Sequence, residues 1–353
     1  MNRFRFLMFS LFLSLIFHEP LCAQGIQMDV QYKQLWEHYK SNFVQPDGRV
    51  VDKGQRSISH SEGQGYGMLI SFLNDDKDTF SRIWRWSKNN LQIRRDNLFA
   101  WSWGERAKGQ WGVIDYNNAT DGDILIAYAL ARASMKWNEP GYKTEALKII
   151  EDVRKHLAAR WDNNIFLLPA YYGFKNEDSL VLNPSYLIFP AYRVFSGLDD
   201  DVFWKKVYED SLLLLDRSLS GRFKLPPDWI SLSKSGISVN AEKSPFFGYE
   251  AIRTFLYLSW ERNPRFPEGL KELFKVYEKL GYMPLQVDLV KDNISLADAP
   301  AGFYAVYARA AEKMGNKALS RQLYREALKK TSSEKGDYYS MSLFLLAIGS
   351  GDL

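Results

Sequence analysis

Three segments set carboxylates among glycines and aromatic rings, a setting in which acids do proton chemistry instead of decorating a solvated face. The first, Ser61-Glu62-Gly63-Gln64-Gly65-Tyr66-Gly67-Met68, runs on into Leu-Ile-Ser-Phe-Leu. Ser61 and Gln64 have the spacing of a capping box, which puts Glu62 in the first turn of a helix. An acid there complements the helix dipole, and that alone would account for it. Gly63, Gly65 and Gly67 need another reason, because each costs about 1 kcal/mol relative to alanine inside a helix. Close approach of a backbone or a ligand supplies one. A general acid needs a raised pKa, whereas a helix start lowers it, so burial or a second carboxylate must act on Glu62 if it is to donate a proton.

The second segment, Asn117-Asn118-Ala119-Thr120-Asp121-Gly122-Asp123, leads into an apolar run. Asp123 is read as a cap for that helix. Asp121, at the mouth of a helix made for burial, is the candidate for a cleft, where its charge would keep Glu62 protonated. In the third, Phe246-Phe247-Gly248-Tyr249-Glu250-Ala251-Ile252-Arg253-Thr254, Glu250 and Arg253 are three apart and can pair on one helix face. That pair is either an internal ion bridge or a base kept ionised by its arginine.

Other chemistries are poorly supplied. His38, His60 and His156 lie far apart without metal-ligand spacing, and His18 is in the leader. There is no phosphate-cradling loop and no Gly-x-Ser-x-Gly elbow, so neither a metal nor a cofactor is expected. Lys and Arg number 46 against 42 Asp and Glu, with no run of five or six like charges, which is no nucleic-acid footprint. Aromatic residues are abundant, with 11 Trp, 20 Tyr and 22 Phe, several in polar surroundings such as Trp101-Ser102-Trp103 and Gln110-Trp111-Gly112. Most are read as packing, and a minority as flat surfaces lining a cleft, suited to the C–H faces of sugars.

The elements that must position these groups are helical. Apolar residues recur at helical spacing over 30–43, 65–73, 79–91, 122–137, 143–159, 185–196, 202–215, 248–260, 268–280, 299–314, 317–330 and 338–348, about twelve helices with no competing strand alternation. Residues 124–137 are apolar nearly all round, as in a helix hidden from solvent. The long connections 92–120 and 216–246 are where a site is expected. Residues 1–23 have the layout of a secretory signal, with Arg3 and Arg5 before an apolar run of about twelve residues, too short for a spanning helix, which takes roughly twenty. Residues 24–353 then form one domain without disulfides, since Cys22 falls in the leader.

The order Ser-Glu-Gly-Gln-Gly-Tyr-Gly-Met at 61–68, Ala-Thr-Asp-Gly-Asp at 119–123, Asn-Pro-Ser-Tyr at 183–186 and Tyr-Glu-Ala-Ile-Arg at 249–253 resembles glycoside hydrolase family 8. The resemblance extends over most of the chain beyond the leader. It implies an all-α (α/α)6 barrel, two concentric rings of helices with an acidic groove across one end, that hydrolyses β-1,4 linkages with inversion. It assigns the proton donor to Glu62, a sugar-distorting catalytic aspartate to Asp121, and the base to the place of Glu250, where the family usually has aspartate. The extra methylene reaches about 1.5 Å farther, and an inverting pair needs about 6.5–9.5 Å between carboxyls, so the groove must accommodate the longer arm or the base lies elsewhere. Asp228 in Pro-Pro-Asp-Trp is the reserve. Tyr186 would hold the attacking water, Arg253 would orient the base, and Trp103 and Trp111 are taken as sugar-stacking rings.

Gln110-Trp111-Gly112-Val113, Pro227-Asp228-Trp229 and Ala301-Gly302-Phe303 resemble the periplasmic members that accompany bacterial cellulose synthesis. The expectation is therefore a periplasmic or secreted monomer acting on β-1,4-glucan, with the cellulose synthesis machinery as a partner and no membrane insertion once the leader is removed. Two other readings stay open: the same machinery on chitosan, xylan or mixed-linkage glucan, and a glucan-binding protein with an impaired base.

Overall fold

Helices that are apolar on every side can be stable only inside other helices, and this sequence has both kinds. The computed structural model describes residues 21–349, 351 and 353, so most of the expected leader at 1–23 lies outside the described residues. Twelve α-helices occur among the described residues: α1 (Leu21–Phe43), α2 (Ser61–Leu73), α3 (Lys77–Asn90), α4 (Thr120–Trp137), α5 (Pro140–Leu157), α6 (Phe189–Ser196), α7 (Asp201–Ser218), α8 (Ile252–Ser259), α9 (Gly269–Leu280), α10 (Ala301–Lys313), α11 (Lys317–Thr331) and α12 (Tyr338–Ile348). The even-numbered helices pack in a closed ring, α2 on α4, α4 on α6, and so on until α12 returns to α2. Most odd-numbered helices lie outside, each against an inner one. This is an (α/α)6 barrel, and every helix contributes to one continuous apolar core.

Burial follows the sequence pattern. Along α4 every residue from Thr120 to Ala131 is buried. In contrast, α3 buries Phe80, Ile83, Trp84 and Ser87, and α5 buries Ala146, Ile149, Ile150 and Val153, single stripes at the 3–4 spacing of an amphipathic helix. The stripe faces the inner ring and the polar remainder faces water.

The two ends of the barrel differ. Connections from an inner helix to the next outer one are brief, at 74–76, 138–139, 197–200, 260–268 and 314–316. Those leading into inner helices are mostly long and hold all the strands of the described residues: β1 (Ser59–His60), β2 (Ser102–Ala107), β3 (Gln110–Asp115), β4 (Ala158–Trp161), β5 (Asn164–Leu167), β6 (Ser179–Leu182), β7 (Ile230–Ser233), β8 (Gly236–Val239), β9 (Phe246–Phe247), β10 (Val287–Asp288) and β11 (Asn293–Ile294). They form small antiparallel sheets in the orders β1-β2-β3, β4-β5, β6-β7-β8 and β11-β10-β9. These strands depart from the reading that no strand pattern competes, because segments of two to six residues are too short to show alternation beside long helices. The N-termini of all inner helices therefore converge at the elaborated end.

Close packing of the inner ring explains the glycines. A Cβ at Gly65 would stand 2.7 Å from Leu125 Cβ, and one at Gly122 would stand 2.7 Å from the Glu62 backbone nitrogen. The starts of α2 and α4 thus touch backbone to backbone. Gly122→Ala would gain about 1 kcal/mol in helix propensity but overpack this contact by about 1–3 kcal/mol, and because the clash is with backbone the loss is expected to win. Urea unfolding should give a lower midpoint than the parent protein; an equal or higher one would mean the α2–α4 contact relaxes freely.

Candidate active site

Each candidate side chain sits at the start of an inner helix. Glu62 is in the first turn of α2, Asp121 in the first turn of α4, and Glu250 two residues before α8, with Arg253 inside it. Tyr186 closes a 3-10 turn (Pro184–Tyr186) that leads into α6. The capping box does not form: His60 caps α2 through Nδ1, which accepts the Gly63 N–H at 3.0 Å. Gln64 is instead buried, accepting the Val50 N–H at 2.6 Å and donating to Ser87 Oγ at 2.9 Å. Tertiary partners outcompete the local box. Asp123 likewise does not cap its own helix; its carboxylate accepts the Phe99 N–H at 2.8 Å and Asn118 Nδ2 at 2.7 Å, pinning the long connection beside the site.

Arg253 joins the carboxylates. Its Nη1 donates to Glu62 Oε1 and to Asp121 Oδ2, the latter at 2.9 Å, and its Nη2 donates to Glu250 Oε2. The Arg253 side chain is 3% exposed, whereas the Glu250 side chain keeps 37% of its surface in solvent. Asn183 Nδ2 also donates to Glu250 Oε2, at 3.0 Å. The orientation of this amide is fixed, because Asn183 Oδ1 accepts the N–H and the hydroxyl of Ser185. The longer glutamate arm thus meets two donors. The Tyr186 ring lies under the guanidinium, 5.5 Å from ring centre to carbon, and the Tyr66 hydroxyl donates to Glu62 Oε1 at 2.6 Å.

Two adjoining hollows of about 280 and 240 Å³ open over this cluster. Both are lined by Gln55, His60, Glu62, Glu250 and Arg253, with Asp121, Trp101 and Tyr186 on one side and Tyr249 and Tyr339 on the other. Trp103 and Trp111 are not among the lining residues. They stack on one face of the β2–β3 hairpin, 5.6 Å between centroids, with the Arg49 guanidinium 4.4 Å from one ring and 4.9 Å from the other. Larger hollows lie elsewhere on the surface, away from the carboxylates.

Charge is distributed unequally. Burial and then the neighbouring Glu62 push Asp121 up to about 8. Burial also works to raise Glu62, but Arg253 and His60, with the Tyr66 hydrogen bond, outweigh it and hold Glu62 below its ordinary value. In the free protein the shifts therefore run opposite to the expected division, Asp121 raised and Glu62 lowered, because His60 and the Tyr66 hydroxyl join Arg253 in favouring charge on Glu62, while burial and Glu62 itself oppose it on Asp121. Burial opposes a charge on His60, yet Asp52, Glu62 and Asp121 raise its pKa. Its Nε2 lies 3.9 Å from Asp52 and its Nδ1 3.8 Å from Glu62. Protonating Nδ1 would break the cap to Gly63.

The structure brings together Glu62, Asp121, Glu250, Tyr186 and Arg253, which the sequence singled out, and adds His60, Asp52, Asn183, Tyr66 and Trp101. Three of these left a signal: Tyr66 is four residues from Glu62, one helical turn, Asn183 begins the motif that ends in Tyr186, and Trp101 opens the polar stretch Trp101-Ser102-Trp103. His60 and Asp52 left none, since only folding of 52–60 sets them side by side. The arrangement sets an acid with a raised pKa, Asp121, beside one with a lowered pKa, Glu62, and places Glu250 on the same hollow among ring surfaces, suited to proton transfer in a hydrolysis.

Known proteins resemble this chain in sequence and in fold. The profile of "Glycosyl hydrolases family 8" matches residues 21–352. A probable endoglucanase of Novacetimonas hansenii is 36% identical over 318 residues, 89% of each chain. An endoglucanase of Salmonella typhi is 32% identical over 298 residues, 81% of this chain and 79% of its own. The solved structure of an endo-beta-1,4-glucanase, CMCax from Acetobacter xylinum, superposes with a TM-score of 0.79 at 33% identity, covering 90% of this chain and 97% of its own.

The raised Asp121 carries a stability cost with a definite sign. Between about pH 4 and 8 the unfolded chain has released this proton while the folded protein keeps it, so this group's contribution to stability is lost as pH rises through that window. Asp121→Asn is expected to stabilise the protein by ~1 kcal/mol or more at pH 8 and by little at pH 4. Thermal unfolding at the two pH values tests this, and equal shifts at both would refute it.

Proposed function

The chain belongs to glycosyl hydrolase family 8, and from that premise we propose that it is an exported endo-β-1,4-glucanase that cleaves cellulose-type glucans with inversion. The observation that carries the reading is the Arg253 guanidinium, which holds Glu62 at one nitrogen and Glu250 at the other over a shared hollow. Both carboxylates face the same hollow, which supports a reading with one as the acid and the other as the base on opposite sides of a sugar ring. Glu62 gives its proton to the glycosidic oxygen as the C–O bond breaks. Water attacks the anomeric carbon from the opposite side and passes its proton to Glu250.

Glu62 must be protonated for that step, and the raised pKa of Asp121 supports a route. Both acids accept from the same Arg253 nitrogen, so they act as a pair holding one proton. A glucan that fills the hollow removes water from Glu62, the more exposed member, and raises its pKa relative to Asp121, which is already desolvated. The Trp101, Tyr186, Tyr249 and Tyr339 rings supply faces on which sugars can stack. Export, to the periplasm or beyond, rests on the leader sequence at 1–23.

No helix among the described residues is long and apolar enough to cross a membrane. The cellulose synthesis machinery remains the proposed partner, on the motifs shared with cellulose-associated relatives.

Glu62→Gln is expected to lower the hydrolysis rate of cellohexaose by about 10³-fold or more while sparing oligosaccharide binding. NMR of fresh wild-type digests should show the α-anomer first. Wild-type turnover by the Glu62→Gln variant, or β-anomer from the wild type, would overturn the mechanism. Faster reducing-sugar release from chitosan, xylan or mixed-linkage glucan than from soluble cellulose would overturn the substrate.

A further inference from the structure

Asp228 is 5% exposed and does not line the hollow, yet its carboxylate is bound to the segment that carries Glu250. Oδ1 accepts the Gly248 N–H at 3.0 Å and the Ala251 N–H at 2.8 Å. Oδ2 accepts the Ser244 hydroxyl at 2.7 Å. The backbone joins in, since the Asp228 N–H donates to Phe246 O at 2.8 Å. The two amides that share Oδ1 stand on either side of Tyr249-Glu250, and the Ile252 N–H closes the same turn on Gly248 O at 3.1 Å.

One neutral hydrogen bond also reaches this turn, from the Tyr339 hydroxyl to Tyr249 O at 2.6 Å. Ala251, the residue before α8, offers no capping side chain, and Glu250 reaches the hollow on a flexible arm. Hydrogen bonds to a buried carboxylate are about twice as strong as neutral ones, so Asp228 fixes where the Glu250 backbone sits. Asn183 and Arg253 then fix the tip, and Arg253 Nε adds a longer bond to Glu250 O at 3.3 Å. An error of about 1 Å in the place of a reacting group costs about 10²-fold in rate.

We propose that Asp228 is a positioning residue for hydrolysis, clasping the backbone on both sides of Tyr249-Glu250 and so setting where Glu250 meets the attacking water. The proposal rests on Glu250 as the water-activating group. It also separates Asp228 from the role of base held in reserve for it, because its oxygens are occupied by amides and a hydroxyl and closed off from solvent.

Asparagine and alanine distinguish the roles. In Asp228→Asn the new side chain still offers one oxygen to both amides, and its Nδ2 can donate to Ser244 Oγ, so the clasp survives, whereas it cannot accept a proton from water. Rates on cellohexaose are measured for Asp228→Asn, Asp228→Ala, Ser244→Ala and Glu250→Ala, with and without azide, and folding is checked by circular dichroism and thermal unfolding. Azide attacks the anomeric carbon without a base, forming a C–N bond as the C–O bond breaks with the proton from Glu62. Asp228→Ala should lose about 10²-fold in kcat with KM within about threefold, while Asp228→Asn stays within about tenfold of wild type. Ser244→Ala, which opens one side of the clasp without emptying it, should lose several-fold in kcat. Azide should restore turnover to Glu250→Ala as a glycosyl azide of inverted configuration, and should not restore Asp228→Ala, where the Glu250 carboxylate is still present to fill the place of the anion and repel it.

Unchanged kcat in both Asp228→Ala and Ser244→Ala would overturn the clasp. Asp228→Asn as inactive as Asp228→Ala, with azide rescue of the latter, would make Asp228 itself the base. Wild-type turnover by Glu250→Ala would instead remove the reading of Glu250 on which the proposal stands.

Discussion

Everything at the elaborated end of the barrel depends on Arg253. Glu62, Asp121 and Glu250 arrive from three different parts of the chain, and like charges so close in a poorly hydrated place would force the helix starts apart. One guanidinium reaches all three because its donors form a planar fork. A lysine, with a single charged nitrogen, could not span them. The fork also leaves an acid surplus, and burial concentrates that surplus as a proton on Asp121.

The architecture makes such a cluster feasible. Alternating inner and outer helices bring every inner N-terminus to one end, so six helix starts surround a single axis. Outer helices α3, α7 and α11 begin with aspartate or asparagine caps. The inner helices α4, α6, α8 and α10 have no side-chain cap, and their first turns bear functional or tightly packed residues instead. Capping does not divide strictly by ring, since inner α12 is capped by Asp337 and outer α5 and α9 have no side-chain cap; the cost of the inner starts lies in their buried acids.

Most of the fold was legible in the sequence. All twelve helices follow from apolar spacing, and even the hidden character of α4 can be read from residues 124–137. The boundaries that miss, such as 143–159 running past Leu157 into β4, lie where a helix hands its apolar residues to a short strand without changing composition. The glycines of α2 asked for a close neighbour, and Leu125 is that neighbour for Gly65. The site was legible in part: the carboxylates, Tyr186 and Arg253 stand out by residue type and setting, whereas Trp103 and Trp111 lie on a hairpin against Arg49 instead of in the hollow.

The sequence by itself determined the helical repeat, the family and the residues able to move protons, because periodicity and local motifs are written in neighbouring residues. Only the tertiary structure decided which partner each group takes. Gln64 turned from a local cap to Val50 and Ser87, Asp123 from its own helix to Phe99, and Asp228 took the amides of Gly248 and Ala251. It also decided which acid holds the proton. A carboxylate's pKa is set by desolvation and by charges far away in sequence, and Arg253 lies 191 residues from Glu62 and 132 from Asp121.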